Sequence, residues 1–138
     1  MEKKKTTKPK QIIGRRETVD FPQLGLSGIS AKIDTGAYSS TLHCRDIQVS
    51  GGPEKILIFK VLGSPEKEIR FKEFSQKKIK NSFGEAEKRF VIKTQIKIAG
   101  RLIKSIISLT DRGKMKYPVL IGRRILKNKF IVDVSLKN

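Results

Sequence analysis

One segment of the chain alternates its residues with a period of two, and this pattern limits the fold more than any other feature. One set of alternate positions holds Phe90, Ile92, Thr94, Ile96 and Ile98. Because successive side chains of a strand point to opposite faces, this set predicts a strand with one buried and one wet face. Ala99-Gly100 then supplies a turn, and apolar residues recur at even spacing over 101–109. Residues 90–109 are therefore predicted to form a β-hairpin.

Short apolar runs separated by glycine and proline fill most of the remaining chain. They predict further strands at 12–19, 29–34, 41–49, 56–62, 68–71, 76–80 and 130–134. The helical pattern is short: it follows Gly122, covers residues 123–128 and stops at Asn128. Many short strands with almost no helix predict an all-β protein, either a small barrel or a sandwich.

The N-terminal residues differ in composition from the rest of the chain. Residues 1–10 contain five lysines and no apolar residue after Met1, so residues 1–11 are predicted to be a disordered basic tail and residues 12–138 a single domain. The tail lacks the apolar stretch of a secretory signal, and no run is long enough to span a membrane. Cys44 is the single cysteine, which excludes an intrachain disulfide. These observations predict a cytoplasmic protein with no membrane partner.

The charge of the chain restricts its partners. Lysine and arginine number 31 against 13 aspartates and glutamates, which leaves a net charge of +18 spread along the whole sequence. Such a charge attracts polyanions. Nucleic acid, a ribosomal surface, an anionic membrane and an acidic peptide would all fit, and charge alone does not choose among them.

An aspartate ends an apolar run in the sequence Ile33-Asp34-Thr35-Gly36-Ala37, and the Asp-Thr-Gly triplet occurs once in the chain. The glycine lets another backbone approach such a turn closely. Two carboxylates held about 3 Å apart share one proton, so the ionised member can activate water while its protonated mate donates to a substrate carbonyl. The alternative interpretation is an ordinary Asp-Thr-Gly turn between two strands.

A second block lies far downstream, where residues 119–121 lead into Gly122 and Arg123. An apolar strand that enters Asp-Thr-Gly-Ala, with a later apolar run ending in Gly-Arg, resembles the two signatures of retropepsin-like peptidases. Within these peptidases, the sequence most resembles the RimK-associated bacterial branch (RimB-like), whose members are also called ATP-dependent zinc proteases. The blocks that agree in order and spacing are residues 12–43, 79–100 and 108–134.

The resemblance implies a closed retropepsin-like β-barrel with one short helix near the C-terminus, and an aspartic endopeptidase whose active site forms between two subunits. It implies that Asp34 is the catalytic carboxylate, that the Thr35 hydroxyl locks two catalytic loops together, and that Gly36 permits their approach. Ala37 would line the substrate cleft. Because the mechanism needs two carboxylates and the chain has one Asp-Thr-Gly, the second must come from a two-fold related copy in a homodimer.

Residues 76–91 stand at the place of the flap hairpin that covers the substrate in retropepsins, with the tip at 81–84, although a plain surface hairpin would give the same pattern. Basic residues flank this hairpin and the Gly-Arg block. They favour an acidic substrate, such as a glutamate-rich or poly-glutamate tail, and the family name suggests a RimK-type glutamate ligase system as a partner. The residues predicted to bind substrate are Ala37, Lys78, Lys80, Ser82, Arg89 and Arg123.

One position departs from the retropepsin pattern. Many members carry an acidic residue directly after Asp-Thr-Gly-Ala, and it pairs with the arginine of the downstream block, whereas here that position is Tyr38. Arg123 is therefore expected to pair with another carboxylate or to face an acidic substrate. The candidate carboxylates are Glu17, Asp20 and Asp133.

The residues do not support the zinc or the ATP of the family name. The sequence has no His-Glu-x-x-His and no Gly-x-x-x-x-Gly-Lys, and His43 and Cys44 are adjacent on a predicted strand, so they point to opposite faces. We therefore expect no metal and no cofactor. The rival function is a non-catalytic basic β-barrel that binds nucleic acid or the ribosome, with Asp34 as a turn residue. Seven Phe and two Tyr, most in apolar alternations, offer it few stacking platforms.

Overall fold

Ten β-strands and one short α-helix form the regular structure of the computed structural model, which describes residues 8–80, 84–111 and 116–138. The strands are β1 (Gln11–Phe21), β2 (Leu26–Ile33), β3 (Ser40–Val49), β4 (Leu57–Val61), β5 (Ser64–Phe71), β6 (Phe74–Lys80), β7 (Ala86–Ile98), β8 (Arg101–Thr110), β9 (Val119–Ile121) and β10 (Phe130–Lys137). The helix α1 spans Arg123–Leu126. Of the predicted tail, residues 1–7 lie outside the described ranges, and residues 8–10 are exposed ahead of β1.

Six of the strands close into a barrel. They follow the order β1-β2-β9-β3-β8-β7, and β7 pairs with β1 to complete the ring. The strand β10 extends β1 in parallel, β6 extends β7 as an antiparallel hairpin, and β4 and β5 form a smaller ladder on β3. The all-β prediction and the closed barrel implied by the family resemblance are thus confirmed, and the sandwich alternative is wrong.

The strongest sequence pattern gives the longest hairpin. Ile92, Ile96 and Ile98 are all buried on β7, and β8 returns in register with it after the predicted turn. Both turn residues have positive φ, 50° at Ala99 and 78° at Gly100, which matches a two-residue turn to the twist of the strands. The period-two alternation therefore predicts this part of the barrel correctly.

Several boundaries differ from their predictions. The strand β5 begins four residues earlier than the predicted 68–71, because the two-residue turn before it, Leu62-Gly63, ends at Gly63 with a φ of 90°. The helix is shorter than the predicted 123–128, and Lys127 already leaves helical geometry. The prediction missed β9 because three residues are too few to show a period.

This short strand positions the candidate site. The strand β9 lies between β2 and β3, parallel to the first and antiparallel to the second. The chain segment that joins β2 to β3 must therefore cross the end of β9, where Gly122 and Arg123 follow. The topology thus brings together two sequence blocks that lie about ninety residues apart.

The barrel interior holds the core. Fully buried aliphatic and aromatic side chains come from all six barrel strands, and they include Val19, Leu42, Ile96, Ile107 and Ile121. Burying such side chains stabilises a fold by roughly 1.5–3 kcal/mol each relative to full exposure. The core therefore supplies a rigid base for the loop that crosses β9. In residues 8–80, 84–111 and 116–138, no helix has the length and hydropathy of a membrane span.

Candidate active site

The loop that contains Asp34 is fixed on both sides by the chain after β9. The Asp34 amide donates a hydrogen bond to the Ile121 carbonyl at 2.8 Å. In the other direction, the amides of Arg123 and Arg124 donate to the carbonyls of Ala37 and Tyr38, at 2.8 and 3.0 Å. The downstream Gly-Arg block therefore acts as a backbone frame for the Asp-Thr-Gly loop.

Asp34 is half-buried within this loop, whereas Thr35 and Gly36 are exposed. One carboxylate oxygen of Asp34 accepts a hydrogen bond from the Gly36 amide at 3.1 Å, and the Ala37 amide donates to the Asp34 carbonyl at 3.2 Å. A Cβ atom at Gly36 would lie 3.3 Å from the same carboxylate oxygen, which is a tight contact. The loop therefore presents a carboxylate with a fixed rotamer, flanked by exposed backbone and a threonine hydroxyl.

Gly122 is required by the closeness of the crossing. A Cβ atom there would lie 2.6 Å from the Tyr38 carbonyl oxygen and would also overlap the Ser39 carbonyl. The Gly122 amide donates to the hydroxyl oxygen of buried Ser40 at 2.9 Å. Sequence reasoning did not single out Ser40, because a serine after the motif looks like any other strand residue until β9 is placed beside it.

The departure at Tyr38 has a structural explanation. The Arg123 guanidinium lies over the Tyr38 ring, 6.0 Å from its centroid, and its Nη1 donates to the Thr35 carbonyl at 3.0 Å. A cation over an aromatic face is attracted by the ring quadrupole. Tyr38, which is 57% exposed, thus takes the position of the usual carboxylate and still holds the arginine against the loop.

The predicted pairing of Arg123 with a distant carboxylate is wrong, because the three candidates have other partners. Glu17 accepts from the Gly14 amide at 2.7 Å, and Asp20 accepts from the Gly28 amide at 2.8 Å. Asp133 accepts from the hydroxyl of Ser135 and from its backbone amide, and these bonds lower the pKa of that carboxyl. Each of these acids satisfies donors near its own strand.

The hairpin of β6 and β7 presents its cations on two different faces. Lys78 pairs directly with Lys88, and Lys80 lies two residues further along β6, so these lysines share one face. Arg89, which pairs with Lys77, points to the opposite face. All of these residues except Arg89 are exposed. The structure therefore does not bring Lys78 and Lys80 together with Arg89, and Ser82 lies outside the described residues.

Arg89 is buried rather than displayed. Its side chain is 9% exposed, and its Nε donates to a Glu87 carboxylate oxygen at 3.0 Å. Its Nη1 lies 3.5 Å from the hydroxyl oxygens of Thr41 and Ser108, both of which are buried. Ser108 in turn donates to the Ser40 carbonyl at 3.4 Å. Arg89 thus links the hairpin to the strand that follows the Asp34 loop.

The potential metal ligands stay apart from this site. Cys44 is buried on β3, where burial raises the pKa of its thiol far above the usual range and the nearby Asp111 carboxylate raises it further. A thiol kept protonated is a poor metal ligand and a poor nucleophile. His43 precedes it on the same strand and is buried too. In the described ranges, no three His, Cys, Asp or Glu residues are grouped to hold a metal ion.

Comparison with known proteins places these features in a family. A family model described as RimB-like, retropepsin-like aspartic endopeptidase RimB, matches residues 12–138. A probable alpha-L-glutamate ligase of Shewanella pealeana is 36% identical over 132 residues, and one of Desulfotalea psychrophila is 32% identical over 134 residues. The matches cover 91% and 93% of this chain but 29% of each relative, so the chain spans less than a third of the curated relatives it matches.

A solved structure shows the same architecture. It is a Legionella pneumophila protein of unknown function, 28% identical to this chain, with a TM-score of 0.72 over 92% of this chain and 95% of the other. The family match covers both the Asp34 loop and the Gly-Arg block that frames it. The chain therefore belongs to the RimB-like family of retropepsin-like aspartic endopeptidases.

Proposed function

We propose that this chain is an aspartic endopeptidase that is active as a homodimer, with one Asp34 from each subunit at the two-fold axis. The observation that carries the proposal is the Asp34 loop itself, a half-buried carboxylate with exposed Thr35 and Gly36 beside it. Two such carboxylates would share a proton, so that one activates water and the other protonates the carbonyl oxygen of the scissile bond. Thr35 would bond across the axis, and Gly36 would admit the second backbone.

The proposed substrate is an acidic peptide or protein tail, rich in glutamate. The net charge of +18 supports this choice, as does the placement of exposed Arg123 at the loop next to Ala37. The names of the curated relatives, probable alpha-L-glutamate ligases, supply a second reason, because an enzyme that adds glutamates makes the kind of tail that this site would cut. We extend the proposal to a cytoplasmic location and a functional link to a RimK-type ligase.

Arg89, Lys78 and Lys80 have different places in this proposal. Arg89 would set the position of the hairpin from within, because its guanidinium already binds Glu87 and contacts two buried hydroxyls. Lys78 and Lys80 would attract acidic substrate from the exposed side of the hairpin. Ser82, which lies outside the described residues, is kept as a proposed substrate contact.

The decisive experiment replaces Asp34 by asparagine and measures cleavage of glutamate-rich peptides by mass spectrometry. We expect a loss of about a thousandfold, within the range for removal of an acid-base group, with an unchanged circular dichroism spectrum. Asp46→Asn is the matched control, since Asp46 is exposed and its positive φ of 54° suits asparagine. Full cleavage by the Asp34→Asn protein would contradict the proposal. If the native chain binds RNA and cleaves no peptide, the basic-barrel function is favoured instead.

Subunit mixing tests the dimer separately. Adding inactive Asp34→Asn chains to native chains should lower the activity per native chain, because mixed dimers would hold one carboxylate and one amide. Light scattering on the same samples gives the mass. An active species with the mass of a strict monomer would contradict the shared-carboxylate mechanism.

A further inference from the structure

Buried polar groups connect the hairpin of β6 and β7 to the loop that carries Asp34. The part of β7 before Val91 pairs with β6 and lies beyond the β7–β8 ladder. Arg89 belongs to this part, and its guanidinium reaches back to two hydroxyls of the barrel wall. The connection, called here the polar line, consists of four buried residues: Arg89, Thr41, Ser108 and Ser40. Because these residues are buried, water does not screen their contacts.

The hydrogen bonds of the polar line all run in one direction. A serine hydroxyl carries one hydrogen, and the Ser108 hydroxyl donates it to the Ser40 carbonyl at 3.4 Å. The Thr41 hydroxyl, whose oxygen lies 3.3 Å from the Ser108 oxygen, must therefore be the donor in that pair. Arg89 Nη1 donates to both hydroxyl oxygens. Each donor thus points away from the hairpin and towards Ser40, and each bond polarises the next.

Ser40 joins the polar line to the backbone frame of the Asp34 loop. Its carbonyl accepts from Ser108, while its hydroxyl oxygen accepts from the Gly122 amide at 2.9 Å. The two amides after Gly122 hold carbonyls of the loop. Ser40 is almost completely buried, so a movement of Ser108 displaces its close-packed neighbours instead of being taken up by solvent. The frame of the loop therefore responds to the position of the hairpin.

The two ends of the polar line differ in the length of their bonds. The bond from the Gly122 amide to Ser40 has the usual length for an amide donor. The contacts among Arg89 and the two hydroxyls that it reaches are 3.3–3.5 Å long. Long hydrogen bonds are weak, so these contacts lengthen or shorten at little cost in free energy. The hairpin end can thus adjust, whereas the loop end is firmly held.

We propose that Arg89 is a positioning residue that couples the hairpin to the Asp34 loop, acting through Ser108 and Ser40 on Gly122. A peptide that draws the hairpin towards the barrel brings the guanidinium closer to the hydroxyls, and the shorter bonds hold the loop frame more firmly. The coupling itself rests on the contacts of the polar line. Its use in catalysis rests on the proposed function.

Amide hydrogen exchange, measured by NMR, tests the coupling without any cleavage. Ser108→Ala interrupts the polar line and should raise the exchange rate of the Gly122 amide about fivefold relative to core amides of β1, which report on global unfolding. Ser105→Ala is the matched control, because Ser105 is also buried on β8 and donates to the Thr94 carbonyl at 2.8 Å. On the same relative scale, the control should change the Gly122 amide less than about twofold.

Equal effects of the two alanine variants on the Gly122 amide would overturn the coupling, as would an unchanged Gly122 amide in the Ser108→Ala chain. Arg89→Lys gives a second test that keeps the charge beside Glu87 and removes the forked donor. It should raise Gly122 exchange about as much as Ser108→Ala does. The double variant should then exchange at the rate of Arg89→Lys alone, because Arg89 acts through Ser108. Additive effects would contradict the polar line.

Cleavage of a glutamate peptide supplies the second readout. Ser108→Ala should lower kcat about fivefold and leave KM within about twofold of the native value, because the catalytic loop is positioned less firmly while the exposed cations stay in place. Ser105→Ala should change neither constant more than about twofold. A raised KM with a normal kcat would contradict a positioning role. If the native chain cleaves nothing, the peptidase proposal fails, and hydrogen exchange still decides whether the coupling exists.

Discussion

The Asp34 loop and the hairpin of β6 and β7 each contain an arginine that the sequence predicts to be a substrate-binding cation. Arg123 is exposed and lies over Tyr38 at the loop, with one bond to the Thr35 carbonyl. Arg89 is buried at the base of the hairpin in an ion pair with Glu87. The loop is held mainly by backbone hydrogen bonds, whereas the part of the hairpin beyond the β7–β8 ladder contacts the barrel through the Arg89 side chain. We therefore expect substitution of Arg89 to lower mainly the stability of the chain and substitution of Arg123 to lower mainly its cleavage activity.

The largest effect is expected where the backbone frame of the loop would be broken. Gly122→Ala should lower the free energy of unfolding by about 3 kcal/mol, because the new Cβ overlaps the carbonyls of Tyr38 and Ser39, and the Tyr38 carbonyl is held by the Arg124 amide. Urea denaturation measures the change. Gly51→Ala is the control, since a Cβ there meets no atom within 4 Å, and it should stay within about 0.5 kcal/mol of the native chain. Equal stability of the two variants would contradict the tight crossing at Gly122.

The second largest effect is expected when buried Arg89 is removed. Arg89→Met should lower the free energy of unfolding by about 2 kcal/mol, less than for a fully buried pair because the Glu87 side chain is 33% exposed. Thermal or urea denaturation would show it, with Lys88→Met, a neighbouring exposed lysine on the other face, as the control. If the Lys88 variant lost as much stability as the Arg89 variant, the hairpin would not depend on its inward side chain.

Substitution of Arg123 should affect cleavage more than stability. Arg123→Gln should change the free energy of unfolding by less than about 1 kcal/mol, because its contacts are exposed. If the peptidase proposal is correct, cleavage should still fall about tenfold or more, since a loosened Thr35 carbonyl lets the catalytic loop move. Parallel unfolding and peptide-cleavage measurements separate the two effects. A large loss of stability with normal cleavage per folded chain would reverse the comparison.

The smallest effect concerns the aromatic partner of Arg123. Tyr38→Asp replaces a cation-π contact by an ion pair, so the free energy of unfolding should stay within about 0.5 kcal/mol of the native value at low salt. Tyr38→Ala removes the partner altogether and should lower cleavage more than Tyr38→Asp does. Raising the salt concentration should lower the free energy of unfolding of the aspartate variant relative to that of the native chain, because salt screens the ion pair. The opposite order of the two variants would show that Tyr38 acts in some other way.

The local parts of the fold and of the site could be predicted from the sequence. Period-two alternation predicts the β7–β8 hairpin because side-chain direction in a strand depends on parity alone. The Asp-Thr-Gly and Gly-Arg blocks predict the loop and its partner segment through the family resemblance, and the family match agrees. Boundaries were less accurate where a two-residue turn ends at a glycine, as at Gly63.

The sequence by itself determined the strand pattern, the single Asp-Thr-Gly and the excess of positive charge. Only the tertiary structure decided which charges are exposed, because burial depends on which strands become neighbours and not on the residue type. Insertion of β9 between β2 and β3 makes Gly122 and Ser40 essential to the loop. The β3–β8–β7 registers bury Arg89 against the hydroxyls of Thr41 and Ser108. Contacts between residues distant in the chain set these positions, and no local pattern records them.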